Sequence, residues 1–290
     1  MTEINVKSYA KINLFLDITG RRSDGYHELN NIMQKIDLHD VVSVLISEGE
    51  TEISVSCDDP EIPCDKRNIA YKAAEAYLNS ARITARVDIK IKKVIPVMAG
   101  LGGSSADGAA VLEALESHFQ KLGTAKMQKL AAGLGADVPF CLSGRAAFCK
   151  GIGEIMTEIE PLPRCSILII KPDFSCSTSK GYGLYDEQPI KSKGEPKGLL
   201  SALKNGDLKG VGENLYNIFE PLYNDDRIDK IKHELIHGGA FGALLSGSGS
   251  AVYGLFSDSS AAAAACEKIK TASKILSNPV FALEKSEKIC

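Results

Sequence analysis

The chain has 290 residues, with 34 Lys and Arg against 37 Asp and Glu and a formal net charge of −3. At 44% hydrophobic and 24% charged residues it can fill one large or two ordinary globular cores, so disordered, collagen-like and coiled-coil readings are excluded. A mildly acidic chain without tryptophan lacks the basic face and the stacking platforms of nucleic-acid binding, and no nucleic-acid partner is expected.

In chain order, Ile4 to Thr19, Asp40 to Ser47 and Thr51 to Cys57 alternate apolar with polar residues and read as strands. Between the first two lies a polar loop, Arg21 to His27, with a turn signal at Asp24-Gly25. Asn68 reads as the N-cap of a helix, and Arg86 to Lys93 as a strand that Pro96 ends. A helix over Ser105 to His118 follows, then one capped by Thr124 and stopped by a left-handed Gly135. Arg145 to Lys150 and Ser166 to Ile170 read as strands, on either side of a candidate boundary at Pro161 and Pro163. Residues 186–198 read as an exposed loop, and helices are expected near 207–222 and 226–237. Beyond them come a strand from Ala251 to Phe256, a helix over Ser259 to Ala272 and a last strand from Val280 to Leu283. Strands and helices mix without regular βαβ alternation, so an α+β chain of two lobes is expected, 1–160 and 161–290.

The eight cysteines show no Cys-x-x-Cys spacing and mostly sit in apolar stretches. No leader-like start and no membrane-length apolar run is present. A cytoplasmic protein with reduced thiols and no membrane partner is expected.

The strongest chemical signal is Pro96, Val97, Met98, Ala99, Gly100, Leu101, Gly102, Gly103, Ser104, Ser105 and Ala106, running from a strand into a helix. Glycines let backbone N–H groups converge on a ligand, and a helix N-terminus adds its positive end, so the segment suits a phosphate. Its local alternative is a β–α turn without a ligand. Ser105 stands where a dinucleotide fingerprint needs its third glycine, and the Gly-Lys of a P-loop occurs nowhere. Lys11 and Asn13 fall on one face of the first strand, a pattern that solvent-facing alternation also produces. Asp137, between Gly135 and Pro139, reads locally as a turn residue. His233-Glu-Leu-Ile-His237 matches a zinc-protease string, but Gly238 ends its helix and only Glu267 and Glu284 remain as third ligands, so no metal site is expected there. Leu245-Ser-Gly-Ser-Gly-Ser250 has linker composition inside a compact region, where such turns bring backbone close to a ligand or another loop.

Together, the Lys11 strand, the 96–106 loop and the 246–250 turn resemble, in this order, the three motifs of the GHMP small-molecule kinases. Ala10 to Leu29 and Leu134 to Pro139 are similar to the branch that acts on a cytidine-diphosphate-linked methylerythritol. The resemblance spans essentially the whole chain. It implies a ribosomal-protein-S5-like β/α domain followed by a ferredoxin-like α/β domain, and transfer of the ATP γ-phosphoryl group to the acceptor's 2-hydroxyl. By the same resemblance Asp137 is the catalytic base and Lys11 the catalytic lysine, and the 96–106 loop wraps the ATP phosphates, with Ser105 near Mg²⁺. Asn68 and Lys93 would line the nucleotide site. Tyr26, His27 and Tyr182 would form the cytidine pocket, and Thr178 and Asn13 would contact the acceptor. The chain departs from many relatives at Ser104, where they have glycine, and at Gly108, where they have alanine. The competing readings are a homoserine- or mevalonate-type kinase, a non-catalytic ligand sensor of the same fold, and a zinc hydrolase. A monomer or weak homodimer is expected.

Overall fold

The computed structural model describes residues 1–269, 273–281 and 287–289. The N-terminal alternation folds into one long hairpin, β1 (Thr2–Arg21) and β2 (His27–Ser47). Gly25 closes it with a φ of 90°, which glycine adopts without a steric penalty. Register shifts fall between Tyr9 and Lys11, between Asn13 and Phe15, and between Ile18 and Gly20, bending the hairpin and re-aiming the side chains between them. β3 (Glu52–Cys57) leads to α1 (Ile69–Ala81), which opens at the expected cap: Asn68 Oδ1 accepts the Ala70 N–H at 2.8 Å. β4 (Arg86–Lys92) lies between β2 and β3, and α2 (Gly103–Phe119) follows, two residues earlier than its periodicity suggests because Gly102 takes the cap position.

α3 (Gly123–Leu134) is not capped by Thr124, which sits in its first turn. The Glu116 carboxylate of α2 accepts the Leu122 and Gly123 N–H groups instead, at 3.1 and 2.7 Å. Gly135 ends the helix at a φ of 168°, extended rather than left-handed. Then come α4 (Val138–Ser143), β5 (Ala146–Lys150), which pairs with β2, and β6 (Ile155–Glu158), which pairs with β5.

The second half begins with β7 (Ser166–Lys171), α5 (Thr178–Glu187) and α6 (Lys197–Lys204). The loop expected over 186–198 is therefore shorter, 188–196, since its first two residues end α5 and its last two begin α6. It is also pinned, since the buried Asp17 carboxylate accepts Ser192 Oγ–H and Lys193 N–H, both at 2.7 Å. The single helix expected near 207–222 is broken into α7 (Leu208–Glu213), β8 (Tyr216–Asn217) and α8 (Phe219–Tyr223). Backbone pairing of Tyr216 with Phe15 and of Asn217 with Leu16 overrides the local pattern. α9 (Asp226–His237), β9 (Gly242–Leu245), β10 (Val252–Phe256) and α10 (Ser259–Lys268) follow, then β11 (Ser273–Ser277) and β12 (Glu287–Ile289). The helix expected to reach Ala272 thus stops at Lys268, and residues 270–272 lie outside the described residues. Val280 and Phe281 are not in a strand, and the rest of the strand expected there, like Glu284 and Cys290, lies outside the described residues.

Two sheets result. The first runs β12-β1-β2-β4-β3, with β5 and β6 continuing from β2 and β8 flanking β1. The second runs β11-β7-β10-β9, all antiparallel; in chain order its strands are 4-1-3-2 with helices between, a ferredoxin-like arrangement. α1 and α2 cover the first sheet through Tyr77, Leu112 and Leu115 over Ile4, Val44 and Ile89. Full burial of each such leucine contributes about 1.5–3 kcal/mol. Gly108 lets the two helices close up, since a Cβ there would lie 3.2 Å from Ile69 Cγ1. Ile12, Leu14 and Ile36 share a core with Ile167, Tyr253 and Leu255, so the two sheets pack against each other along β1. The described cysteines are free, and burial pushes the Cys141, Cys149 and Cys165 thiols up to about 12, as fits small apolar residues. Among the described residues no helix is long and apolar enough to cross a membrane.

Candidate functional site

The residues between the β1 register shifts are the ones the sequence singles out. The Lys11 side chain is 4% exposed, and its Nζ donates to Asn13 Oδ1 at 2.7 Å and lies 3.4 Å from Asp137 Oδ2. Alternation thus does place Lys11 and Asn13 on one face. Asn13 is held in turn: its amide donates to Asn31 Oδ1 at 2.8 Å, and its carbonyl accepts the buried Tyr253 hydroxyl at 2.9 Å. Asp137 occupies the N-cap position of α4. The other end of that short helix is fixed by Lys35, whose Nζ donates to the Cys141 carbonyl at 2.8 Å; burial pushes this ammonium below its usual range. Asp137 is thus a partly exposed carboxylate held beside a nearly buried lysine.

The 96–106 segment folds over Lys11. Leu101 O accepts the Lys11 N–H at 2.9 Å, and a Cβ on Gly102 would sit 3.0 Å from Lys11 Cγ. Gly100 and Gly102 both take a φ of 75°. No side chain caps α2, so the N–H groups of its first turn face the same space. Ser104 is exposed and Ser105 half-buried at that turn. The third motif packs behind the loop: Ser246 Oγ donates to Gly100 O at 3.0 Å and Ala251 N–H to Ala99 O at 3.1 Å. Lys11, the start of α2, Asp137 and the 246–250 turn thus border one cleft, whose charged groups are the Lys11 ammonium, the Asp137 carboxylate and the positive end of a helix.

Asn68 and Lys93 do not reach into this cleft alongside Lys11. Asn68 caps α1 and, with Ile62, Pro63, Arg67, Ser104 and Asp107, lines an adjoining cavity of about 140 Å³. Lys93 is committed to a buried ion cluster under the start of α2, with Asp107 Oδ2 at 3.0 Å and Asp40 Oδ2 at 2.5 Å. Burial works against its charge, but the two carboxylates outweigh it and hold the ammonium above its usual range. Asp107 is pushed up to about 7, by burial first.

The proposed base pocket lies at the far end of the hairpin. His27 stacks on Tyr182, with centroids 4.8 Å apart and planes at 22°, and its Nε2 is 2.8 Å from Asp186 Oδ1. Tyr26, 60% exposed at the hairpin tip, is not the ring that faces Tyr182; His27 is. Thr178, at the start of α5, shares a 2.7 Å hydrogen bond with Ser248 Oγ and so touches the 246–250 turn. His233 and His237 are exposed on α9, and among the described residues no group of three or more His, Cys, Asp or Glu could hold a metal ion.

Asn31, Tyr253, Asp186 and Asn217 escape sequence reasoning. Each acts through a partner more than 15 residues away, brought in by the register of the bulged hairpin for Asn31, by β8 for Asn217, by β10 for Tyr253 and by α5 for Asp186.

A model described as "GHMP kinases N terminal domain" matches residues 68–145, and "GHMP kinases C terminal" matches 199–274. The chain is 42% identical over 269 residues to the 4-diphosphocytidyl-2-C-methyl-D-erythritol kinase of Clostridium kluyveri, covering 92% of this chain and 95% of that one. A crystal structure of 4-(cytidine 5'-diphospho)-2C-methyl-D-erythritol kinase superposes with a TM-score of 0.79 at 30% identity, covering 94% of this chain and 98% of that one. A homoserine kinase from Cytophaga hutchinsonii shares the fold, with a TM-score of 0.78 at 19% identity over 99% of this chain and 97% of that one. This chain belongs to the GHMP kinases, in the family of 4-diphosphocytidyl-2-C-methyl-D-erythritol kinases.

Proposed function

We propose that the chain transfers the γ-phosphoryl group of ATP to the 2-hydroxyl of 4-(cytidine 5'-diphospho)-2-C-methyl-D-erythritol, a step of non-mevalonate isoprenoid precursor synthesis in the cytoplasm. The observation that carries this reading is the 3.4 Å approach of Lys11 to Asp137 beside an uncapped helix N-terminus. Asp137 takes the proton of the attacking hydroxyl, and Lys11 holds the charge that develops on the phosphoryl oxygens. The 96–106 backbone positions the phosphates, which suits a reaction whose barrier yields mainly to placement and electrostatics. Oxygen donors suit Mg²⁺, and the Ser105 hydroxyl and Asp137 carboxylate are such donors at the cleft; when bound, the ion neutralises phosphate charge. Tyr26, His27 and Tyr182 hold the cytosine, and Asn13 and Thr178 contact the acceptor. Residues 1–160 form the nucleotide lobe and 161–290 the second lobe. The protein is a monomer or weak homodimer.

The test is ATP consumption by the purified chain with cytidyl methylerythritol, homoserine and mevalonate offered separately. Turnover is expected with the first alone. A folded protein that ignores it overturns the reading.

A further inference from the structure

One residue that none of the three motifs contains holds the 246–250 turn. Asn217 is 1% exposed on β8. Its amide nitrogen donates to the Leu245 carbonyl at 2.7 Å and to the Gly247 carbonyl at 2.8 Å, and its Oδ1 accepts the Phe219 N–H at 3.0 Å. Every hydrogen-bonding position of this donor pair is thereby spent on the turn that begins the third motif.

The two bonds fix which way the turn's peptides face. A trans peptide points its C=O and the following N–H in opposite directions. With Leu245 O held by Asn217, the Ser246 N–H is directed to Ala251 O, at 2.9 Å. With Gly247 O held in the same way, the Ser248 N–H turns away from Asn217, and it is bonded to no acceptor among the described residues. Gly247 is the residue that abuts the catalytic strand: a Cβ on it would lie 3.0 Å from Gly100 O and 3.3 Å from Lys11 Nζ. A flip of the 247–248 peptide would aim a carbonyl where a donor now stands.

Asn217 is also tied to the strand that carries Lys11. It pairs with Leu16, and the next residue, Ile218, donates its N–H to Leu16 O at 2.9 Å. Glu220 completes the grip on the turn, since its Oε1 accepts the Leu245 N–H at 2.9 Å. One short segment thus registers the turn against β1.

We infer that Asn217 is a positioning residue for phosphoryl transfer: its grip on the Leu245 carbonyl fixes the start of the 246–250 turn, and its grip on the Gly247 carbonyl leaves the Ser248 N–H as a donor for the ATP phosphates. The inference rests on the proposed kinase reading for the identity of the anion.

Asn217→Asp keeps the shape and the Phe219 acceptor but sets a carboxylate against two carbonyls. Two measurements are made on folded parent and variant: the rise in melting temperature with a non-hydrolysable ATP analogue and Mg²⁺, without acceptor, and steady-state kinetics with ATP and the cytidyl acceptor. The expected result is loss of most of the analogue-induced rise, with the ATP KM up and kcat down at least about tenfold and the acceptor KM within about threefold. A variant with a parent-like rise and kcat, or one that raises both KM values alike, overturns the assignment. If the aspartate variant does not fold, Asn217→Ser is judged by the same outcomes. The melting arm needs no acceptor, so failure of the parent to phosphorylate the cytidyl substrate would sink the substrate reading and leave this inference still decided.

Discussion

Gly100→Ala is the sharpest perturbation the cleft allows. An added Cβ would lie 2.0 Å from the Ser246 carbonyl oxygen and 2.9 Å from its carbon, and ordinary contact begins at 3.4 Å. The 246–250 turn must therefore retreat by about 1.4 Å, the difference between 3.4 and 2.0 Å. Retreat of that size breaks Ser246 Oγ to Gly100 O and Ala251 N–H to Ala99 O, each contributing about 0.5–1.5 kcal/mol. Holding an alanine at a φ of 75° costs a further ~1–2 kcal/mol. The total is about 2–5 kcal/mol, or roughly 5–20 °C in melting temperature for a chain of this size. Displacing the turn, and with it the 96–106 loop it is bonded to, by about an ångström is expected to lower kcat by about 100-fold. Circular-dichroism melting and steady-state kinetics read both effects. Gly206→Ala is the control, since Gly206 also has a positive φ, of 65°, but nothing within 4 Å of an added Cβ. If Gly100→Ala melts no lower than Gly206→Ala and keeps kcat within about threefold of the parent, the close loop-to-turn packing is not what positions the phosphates.

Asp137→Ala is expected to lower turnover by about 10²–10⁴ while ATP affinity, read by calorimetry, stays within about threefold; near-parental turnover removes Asp137 as the base. Tyr26→Ala should raise the KM for the cytidyl acceptor roughly 5- to 100-fold, the worth of one base stack, and leave the ATP KM unchanged; equal effects on both would place Tyr26 elsewhere. Asp107 keeps its proton in the folded state up to about pH 7, whereas an unfolded aspartate loses it near 4. The folded state then binds more protons across that window, so this group's contribution to stability falls as pH rises from about 4 to 7. Asp107→Asn should flatten that part of the stability–pH curve measured by urea unfolding, and an unchanged slope refutes the assignment.

The elements that could be read from sequence are those whose cause is local. Alternation in β1 and β4, the Asn68 cap and the glycine-rich loop depend on neighbours within a few residues. α5 shows no legible period because Gly181 and Gly183 dilute its helical pattern, yet Gly181 is required: a Cβ there would lie 2.7 Å from the Tyr223 hydroxyl and 2.8 Å from Phe219. β8 has two residues and no period to detect; it exists because β1 has an open edge. Lys93 shows the limit for side chains. Its place beside the loop is legible, but the buried carboxylates that claim its charge come from Asp40 on β2 and Asp107 on α2. Family resemblance supplied the pairing of Lys11 with Asp137, which are 126 positions apart, and no local pattern could have done so.

The strand carrying Lys11 is flanked by β2, β8 and β12, and the last two come from the second half of the chain. During synthesis, the first hairpin emerges long before the residues that border it on its other side. The strand carrying Lys11 thus waits, with part of its backbone unpaired, until residues 216–217 and 287–289 have been made, and such long-range closure is slow and exposes an edge in the meantime. Separate expression of the two halves would leave β1 in that unfinished condition. The second edge of this strand is therefore closed by segments that lie about 200 residues or more along the chain from it.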